Sequence, residues 1–224
     1  MSPLAVPQAH IKYDATMEAR LALTEALGTV AHELRQPLSN IEAIAYYLGM
    51  ILPPGDAKVQ AQLVRIRELV EQSNWILSSA LSLAGPSTAA PQLIALEELL
   101  TEAVSSLGSA PANVRLTLSG DLPLVRLDPR EARELVNSLL MLFRTAAEGA
   151  GPVAVTTLAR PEGGVLLEIQ APRCSRGIAG AGSELALESA QRIAALHGGT
   201  FVLETGGVDA SGAQGGIRGR LMLP

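Results

Sequence analysis

Apolar residues recur every seven positions near the start of the chain. Leu27, Leu34, Ile41 and Leu48 form one series, and Val30, Pro37, Ile44 and Ile51 form another offset by three. Two interleaved series of this kind make the a/d seam of a helix packed against other helices, and they predict a helix from Ala15 to Leu52. Pro53-Pro54-Gly55-Asp56 is a stop, a turn and a start, with Asp56 placed as the next N-cap. A second helix is predicted from Ala57 to Ala84. It carries Val59, Ile66, Ser73 and Ala80 in one heptad series and Leu63, Val70, Leu77 and Ala84 in another. Leu69, Ile76 and Leu83 widen the stripe beyond what a single hairpin covers, so two copies are expected to pair as a four-helix bundle, a homodimer.

The pattern changes after Gly85-Pro86-Ser87-Thr88-Ala89-Ala90-Pro91, a linker by composition. Leu96 to Leu107 reads as a helix, and Val114 to Leu118 alternates as a strand. Asp128-Pro129-Arg130-Glu131 opens a further helix, with Asp as N-cap, Pro at the first helical position and Glu at the third; Gly149 and Gly151 end it. Val153–Ala159 and Gly164–Ala171 are expected as neighbouring strands joined by Arg160-Pro161-Glu162-Gly163. A Gly- and Ser-rich loop from Ser175 to Ser183 leads into a helix from Leu185 to Leu196, which His197-Gly198-Gly199 closes. Thr200–Glu204 and Arg218–Leu223 are the last two expected strands, around a Gly-rich hairpin tip. The expected fold class is α+β: a helical hairpin forming a dimeric four-helix bundle, then one mixed sheet with helices on one face. The expected division is a loose tail over 1–14, the hairpin over 15–84, the linker over 85–91 and the sandwich over 92–224.

Composition narrows the setting. With 224 residues and 48% of them apolar, a sizeable core is available, and with only 3% aromatic it is built from Leu, Ala, Val and Ile. The net charge of -5 argues against nucleic acid as a partner. No apolar run reaches the eighteen or so residues of a membrane span, and the amino terminus lacks the basic-then-apolar order of a secretory signal. Cys174 is the only cysteine, so no internal disulfide forms, and a cytoplasmic location is expected.

The candidate chemistry lies on the first helix. Counted from Leu27 as position a, His32 falls at f, facing away from the seam, with Glu33 beside it. The run His32-Glu33-Leu34-Arg35-Gln36-Pro37-Leu38 resembles the phosphoacceptor box of two-component sensor histidine kinases, His-Glu-Leu-Arg-x-Pro-Leu, at six of seven positions, the seventh being variable there. Pro37 is the odd residue, since it deletes a backbone donor and kinks a helix. The resemblance implies that His32 accepts a phosphoryl group and that Glu33 orients the ring. It makes Arg35 and Gln36 candidates for phosphate or partner contacts. The implied partners are response-regulator receiver domains.

After the linker, Leu185 to Gly199 and Leu221-Met222-Leu223-Pro224 are similar to the ATP-binding domain of the same kinases. The resemblance thus covers the chain from Ala15 onward, with no sensor domain expected before the first helix. It departs at the nucleotide chemistry. The family's magnesium-holding Asn falls on Leu142, with Asn137 one place before another family Asn. Ala171-Pro172-Arg173-Cys174 stands where the adenine-reading Asp and Gly-x-Gly belong, and Gly182-Ser183-Glu184-Leu185-Ala186-Leu187 replaces the later glycine box. A Leu offers no oxygen to a hard cation, and Glu184 puts a carboxylate where polyphosphate approaches a helix N-terminus.

The chain itself is therefore expected to bind no cofactor, Mg²⁺ being supplied by the receiver. The leading expectation is a phosphotransfer protein that exchanges phosphoryl groups between His32 and receiver aspartates without ordinary ATP binding. The alternatives are a divergent ATP-dependent kinase that phosphorylates its own His32, and a non-catalytic dimeric module that binds response regulators. Gly177–Gly182 and Gly206–Gly219 are read as loop flexibility, His10 carries no role, and His197 is read as a helix-end residue favoured by the negative dipole end.

Overall fold

The computed structural model describes residues 8–53, 55–85, 90–107, 113–147, 151–172, 181–206 and 215–224. The chain divides into two compact units, Met1–Ser87 and Thr88–Pro224.

The first unit is a helical hairpin of α1 (Gln8–Ile51) and α2 (Ala57–Ala84). α1 begins at Gln8 rather than Ala15, because no Pro or Gly interrupts the chain between Pro7 and Gly28. The expected tail contracts accordingly, and residues 1–7 lie outside the described set. Asp56 caps α2 as expected: its Oδ1 accepts from the backbone N–H of Lys58 at 3.0 Å and of Val59 at 3.1 Å. Such a cap is worth about 1 kcal/mol.

The seam between the two helices differs in part from the expected one. On α1 Ala31 and Ala45 are buried and Thr24, Leu27, Gly28, Arg35, Leu38 and Leu48 are half-buried, and on α2 Leu63, Val70, Trp75 and Ser79 are buried. Of the α1 series read from the sequence, Leu27 and Leu48 are half-buried while Val30, Leu34, Ile41, Ile44 and Ile51 are exposed within the hairpin; on α2 the expected Leu63 and Val70 are buried and Leu77 and Ala84 half-buried. Ala31 and Ala45 explain the choice. Small side chains let α2 approach closely, whereas the branched residues remain as a second apolar face.

The second unit is an α/β sandwich. Its elements are β1 (Gln92–Ile94), α3 (Leu96–Ser106), β2 (Val114–Thr117), β3 (Val125–Leu127), α4 (Pro129–Ala147), β4 (Val153–Ala159), β5 (Val165–Ala171), α5 (Ala181–Leu196), β6 (Thr200–Thr205) and β7 (Ile217–Leu223). The expected single sheet is two. A five-stranded mixed sheet runs β2-β4-β5-β7-β6, and β1 pairs separately with β3. Only β2 and β4 are parallel in the larger sheet, in register Val114↔Val153. Alternate residues Val153, Val155, Val165, Leu167, Ile169, Ile217, Leu221 and Leu223 point into a core shared with the buried Leu135, Leu139, Leu140 and Phe143 of α4.

Gly219 on β7 makes room for the chain's two phenylalanines. A Cβ there would sit 2.7 Å from Phe143 Cζ and 2.9 Å from Phe201 Cε2. At the first turn of α3, Glu97 Oε1 accepts from the buried Thr157 hydroxyl and from Ser119 N–H at 2.8 Å, and Oε2 accepts from Gly120 N–H at 3.2 Å. The Thr157 bond, ahead of the backbone bonds, holds the Glu97 carboxyl below the usual range.

The helix after the 173–180 segment starts at Ala181, four residues before the expected Leu185. It closes as read, with Gly198 at φ +72° and Gly199 N–H donating to Ala194 C=O at 2.8 Å. Pro54, residues 86–89 of the linker, Gly149, Arg173, Cys174, the loop glycines before Ala181 and the hairpin tip 207–214 lie outside the described residues.

Candidate functional site

His32 stands on the exposed face of α1, away from the α2 contact, as its heptad position implied. The helix runs without interruption through Pro37, which costs it the ladder bond to the carbonyl four residues back. Of the three other candidate polar groups, Glu33, Arg35 and Gln36, only one meets the ring. The Gln36 side-chain amide nitrogen lies 3.4 Å from His32 Nε2, one turn away on the same face. Among the described residues no hydrogen bond or ion pair joins Glu33 to the ring; consecutive helix residues diverge by about 100°. Arg35 is half-buried, and its guanidinium donates to Ser78 Oγ on α2 at 3.0 Å. It therefore clamps the hairpin beside His32. Thr24 does the same one end along, its hydroxyl donating to Ala84 C=O at 2.8 Å.

Periodicity could not foresee these cross-helix bonds, because they depend on which face of α1 meets α2. The His32–Gln36 contact was legible in principle as an i, i+4 pair.

In the second unit the positions aligned with the nucleotide chemistry lie as follows. Leu142 is 1% exposed in the interior, and Asn137 lies exposed on another face of α4, five residues away. Ser138, 0% exposed, donates to Glu134 Oε1 at 3.5 Å. Across from α4, α5 presents Ala186, Ala190 and Ala194, all buried, and Glu184 sits exposed in its first turn. A carboxylate there is favoured by the positive end of the helix dipole.

Asp128 is the N-cap of α4 as expected, accepting at Oδ1 from Arg130 N–H at 2.9 Å and Glu131 N–H at 3.2 Å. Its Oδ2 also accepts from Ala90 N–H at 2.9 Å, fastening the end of the linker to α4. That bond, with the cap bonds and the nearby His197, lowers the Asp128 carboxyl below its usual range. His197 lies at the end of α5 as expected, and in addition its ring is 1% exposed with Nε2 2.8 Å from Glu131 Oε2, so it ties the end of α5 to the first turn of α4. No helix among the described residues is long and apolar enough to cross a membrane.

No family model matches the chain. It is 28% identical over 217 residues to the sensor histidine kinase ZraS of Escherichia coli O157:H7, covering 88% of this chain and 46% of that protein. It is 29% identical over 204 residues to the ZraS of Escherichia coli K12, covering 82% and 43%. The chain thus spans less than half the length of these curated relatives. Among solved structures, full-length ShkA in complex with AMPPNP matches with a TM-score of 0.55 at 20% identity, over 89% of this chain and 45% of that one. Histidine kinase ThkA in complex with the response regulator TrrA matches with a TM-score of 0.50 at 14% identity, over 99% and 68%. On sequence and fold together, the chain is similar to sensor histidine kinases over most of its length, with a helical hairpin carrying the His32–Leu38 run followed by an α/β sandwich.

Proposed function

We propose that this chain is a phosphotransfer element of two-component signalling, in which His32 exchanges phosphoryl groups with receiver-domain aspartates without ordinary ATP binding. The observation that carries the proposal is a contrast between the two units. The imidazole of His32 is exposed on its hairpin, while Leu142, at the position of the family's magnesium-holding Asn, is a buried hydrocarbon. Mg²⁺ wants oxygen ligands, and Leu142 has none to give. Glu184 adds like charge where a triphosphate would approach α5. The residues present do not fit Mg-ATP held in the family's manner, so the metal for transfer comes with the receiver.

The chemistry needs little from the rest of the chain. A neutral imidazole is a competent nucleophile toward an acyl phosphate, and a surface position lets a folded receiver reach it. The second apolar face of α1 supports a homodimer through a four-helix bundle. Val30 is 52% and Ile44 58% exposed on the hairpin alone, and a second hairpin would cover them. The structure of ThkA in complex with the response regulator TrrA supports a receiver as partner, and cytoplasmic receivers would place this chain in the cytoplasm.

A divergent autokinase is the second reading, favoured by the similarity to sensor histidine kinases over 88% of the chain. One experiment separates the two. Purified protein and its His32→Gln variant are incubated with labelled Mg-ATP, and separately with a phosphorylated receiver, and acid-labile label is counted. Label on His32 from the receiver alone is the expected result. Label from ATP that His32→Gln abolishes establishes the autokinase instead.

A further inference from the structure

We propose that a cleft at one end of the larger sheet, on the face turned away from α4 and α5, binds a small organic monocarboxylate, with the Arg218 guanidinium holding its carboxylate group. The proposal is independent of the phosphotransfer reading, since every residue it uses lies in the second unit.

The sheet ladder sets the residues in rows. Ala154, Gln170, Arg218 and Glu204 are partners in register across β4, β5, β7 and β6. Alternation puts all four on the face opposite the buried Val155, Ile169 and Ile217. The next row along holds Thr156, Glu168, Arg220 and Val202. Arg220 takes both carboxylates of these two rows, with Nε 3.1 Å from Glu168 Oε1 and Nη1 3.2 Å from Glu204 Oε1. Arg218 is left over. Among the described residues its guanidinium has no hydrogen bond or ion pair, and neither has the side-chain amide of Gln170, its partner in register. Two donor groups on adjacent strands thus keep their N–H bonds unused.

Those two groups line a cavity of about 460 Å³, together with Ala154, Glu204, Pro152 and Pro172. Ala154 is the one short side chain of its row, so it leaves the space open. A cavity of this size suits a small molecule. The charge of the lining selects which kind. Among the described residues Arg218 is its one cation and Glu204 its one anion. A planar carboxylate fits the guanidinium fork with two parallel hydrogen bonds, and the Gln170 amide supplies a third donor. A phosphate dianion brings a second charge that no further cation meets, and Glu204 repels it. Ala154, Pro152 and Pro172 offer hydrocarbon to the body of the ligand.

The test is amide-resolved NMR of the full chain at fixed ionic strength, titrated with butyrate, with the uncharged butyramide and with inorganic phosphate. Butyrate should shift Gln170, Ala171, Ile217 and Arg218 saturably, with a Kd on the order of 1 mM for an open site and a ligand of few atoms. Butyramide and phosphate should each bind at least about tenfold more weakly. Arg218→Gln should weaken butyrate by about tenfold or more. Ala154→Leu, which keeps the guanidinium and fills the cleft, should do the same. Both positions are exposed, so the rest of each spectrum should match the wild type. Arg126→Gln, which removes an exposed cation on β3 outside the cleft, should leave butyrate binding unchanged. Butyrate shifts that fail to saturate by about twentyfold above that Kd, or that persist undiminished in Arg218→Gln or Ala154→Leu, overturn the proposal. So does butyramide or phosphate bound as tightly as butyrate.

Discussion

The pair formed by His197 and Glu131 gives the sharpest stability prediction. The His197 side chain is 1% exposed, Glu131 is 19% exposed, and 2.8 Å separates the paired atoms. Glu131→Ala leaves a buried ring nitrogen without its partner, a penalty of about 1–3 kcal/mol. His197→Ala removes the ring from an almost closed site and adds a cavity, about 2–4 kcal/mol. Glu131→Gln keeps an oxygen within reach of the ring and should cost about 1 kcal/mol or less. Because both truncations break one bond, the double variant should fall short of their sum by about 1–2 kcal/mol. The two units can be watched separately. Trp75, Tyr13, Tyr46 and Tyr47 all lie in the hairpin, so intrinsic fluorescence reports that unit alone. Amide hydrogen exchange along α4 and α5 reports the sandwich. Glu131→Ala should speed exchange there about thirtyfold for a 2 kcal/mol loss, with the Trp75 signal unmoved. Additive single and double variants, or exchange unchanged within a factor of two, would refute the pairing as a tie between the helices.

Other consequences follow from the same geometry. Gly219→Ala drives a methyl group against Phe143 and Phe201 and should destabilise the sandwich by about 1–3 kcal/mol in denaturant melts. Asp128 and Glu97 both hold carboxyls lowered by native bonds. Their stabilisation is present above the unfolded values and drains away as pH falls through the lower folded ones. Acid titration of stability should therefore turn down below about pH 4, and Asp128→Asn should flatten that limb. Replacing both Leu34 and Ile41 with Lys should shift the protein from dimer to monomer in sedimentation while the helix content of the hairpin is retained; a species of unchanged mass would count against pairing through this face.

The local chemistry of helix starts was legible, and the choice of face was not. Asp56 and Asp128 are caps because a short carboxylate before a helical run accepts the first free N–H groups, a fact of a few adjacent residues. The α1 seam is a fact of distant ones. Both Thr24-Ala31-Leu38-Ala45-Leu52 and Val30-Pro37-Ile44-Ile51 are heptad series, and only the close approach allowed by Ala31 and Ala45 decides which meets α2. β1 and β3 escaped detection because three residues are too few for alternation to register. They exist by pairing across 35 positions, Gln92 with Leu127. The partner of His197 escaped notice for a similar reason, Glu131 lying 66 residues earlier. His32 was placed correctly on an exposed face, and the group that meets its ring is Gln36, not the neighbouring Glu33.

The most direct measurement is phosphorus-31 NMR of the protein mixed with a phosphorylated receiver and Mg²⁺. The account predicts that a phosphohistidine resonance grows as the acyl phosphate signal declines, that His32→Gln abolishes it, and that Mg-ATP as the only donor produces none. Phosphohistidine arising from Mg-ATP, or none at all from any phosphorylated receiver, would contradict it.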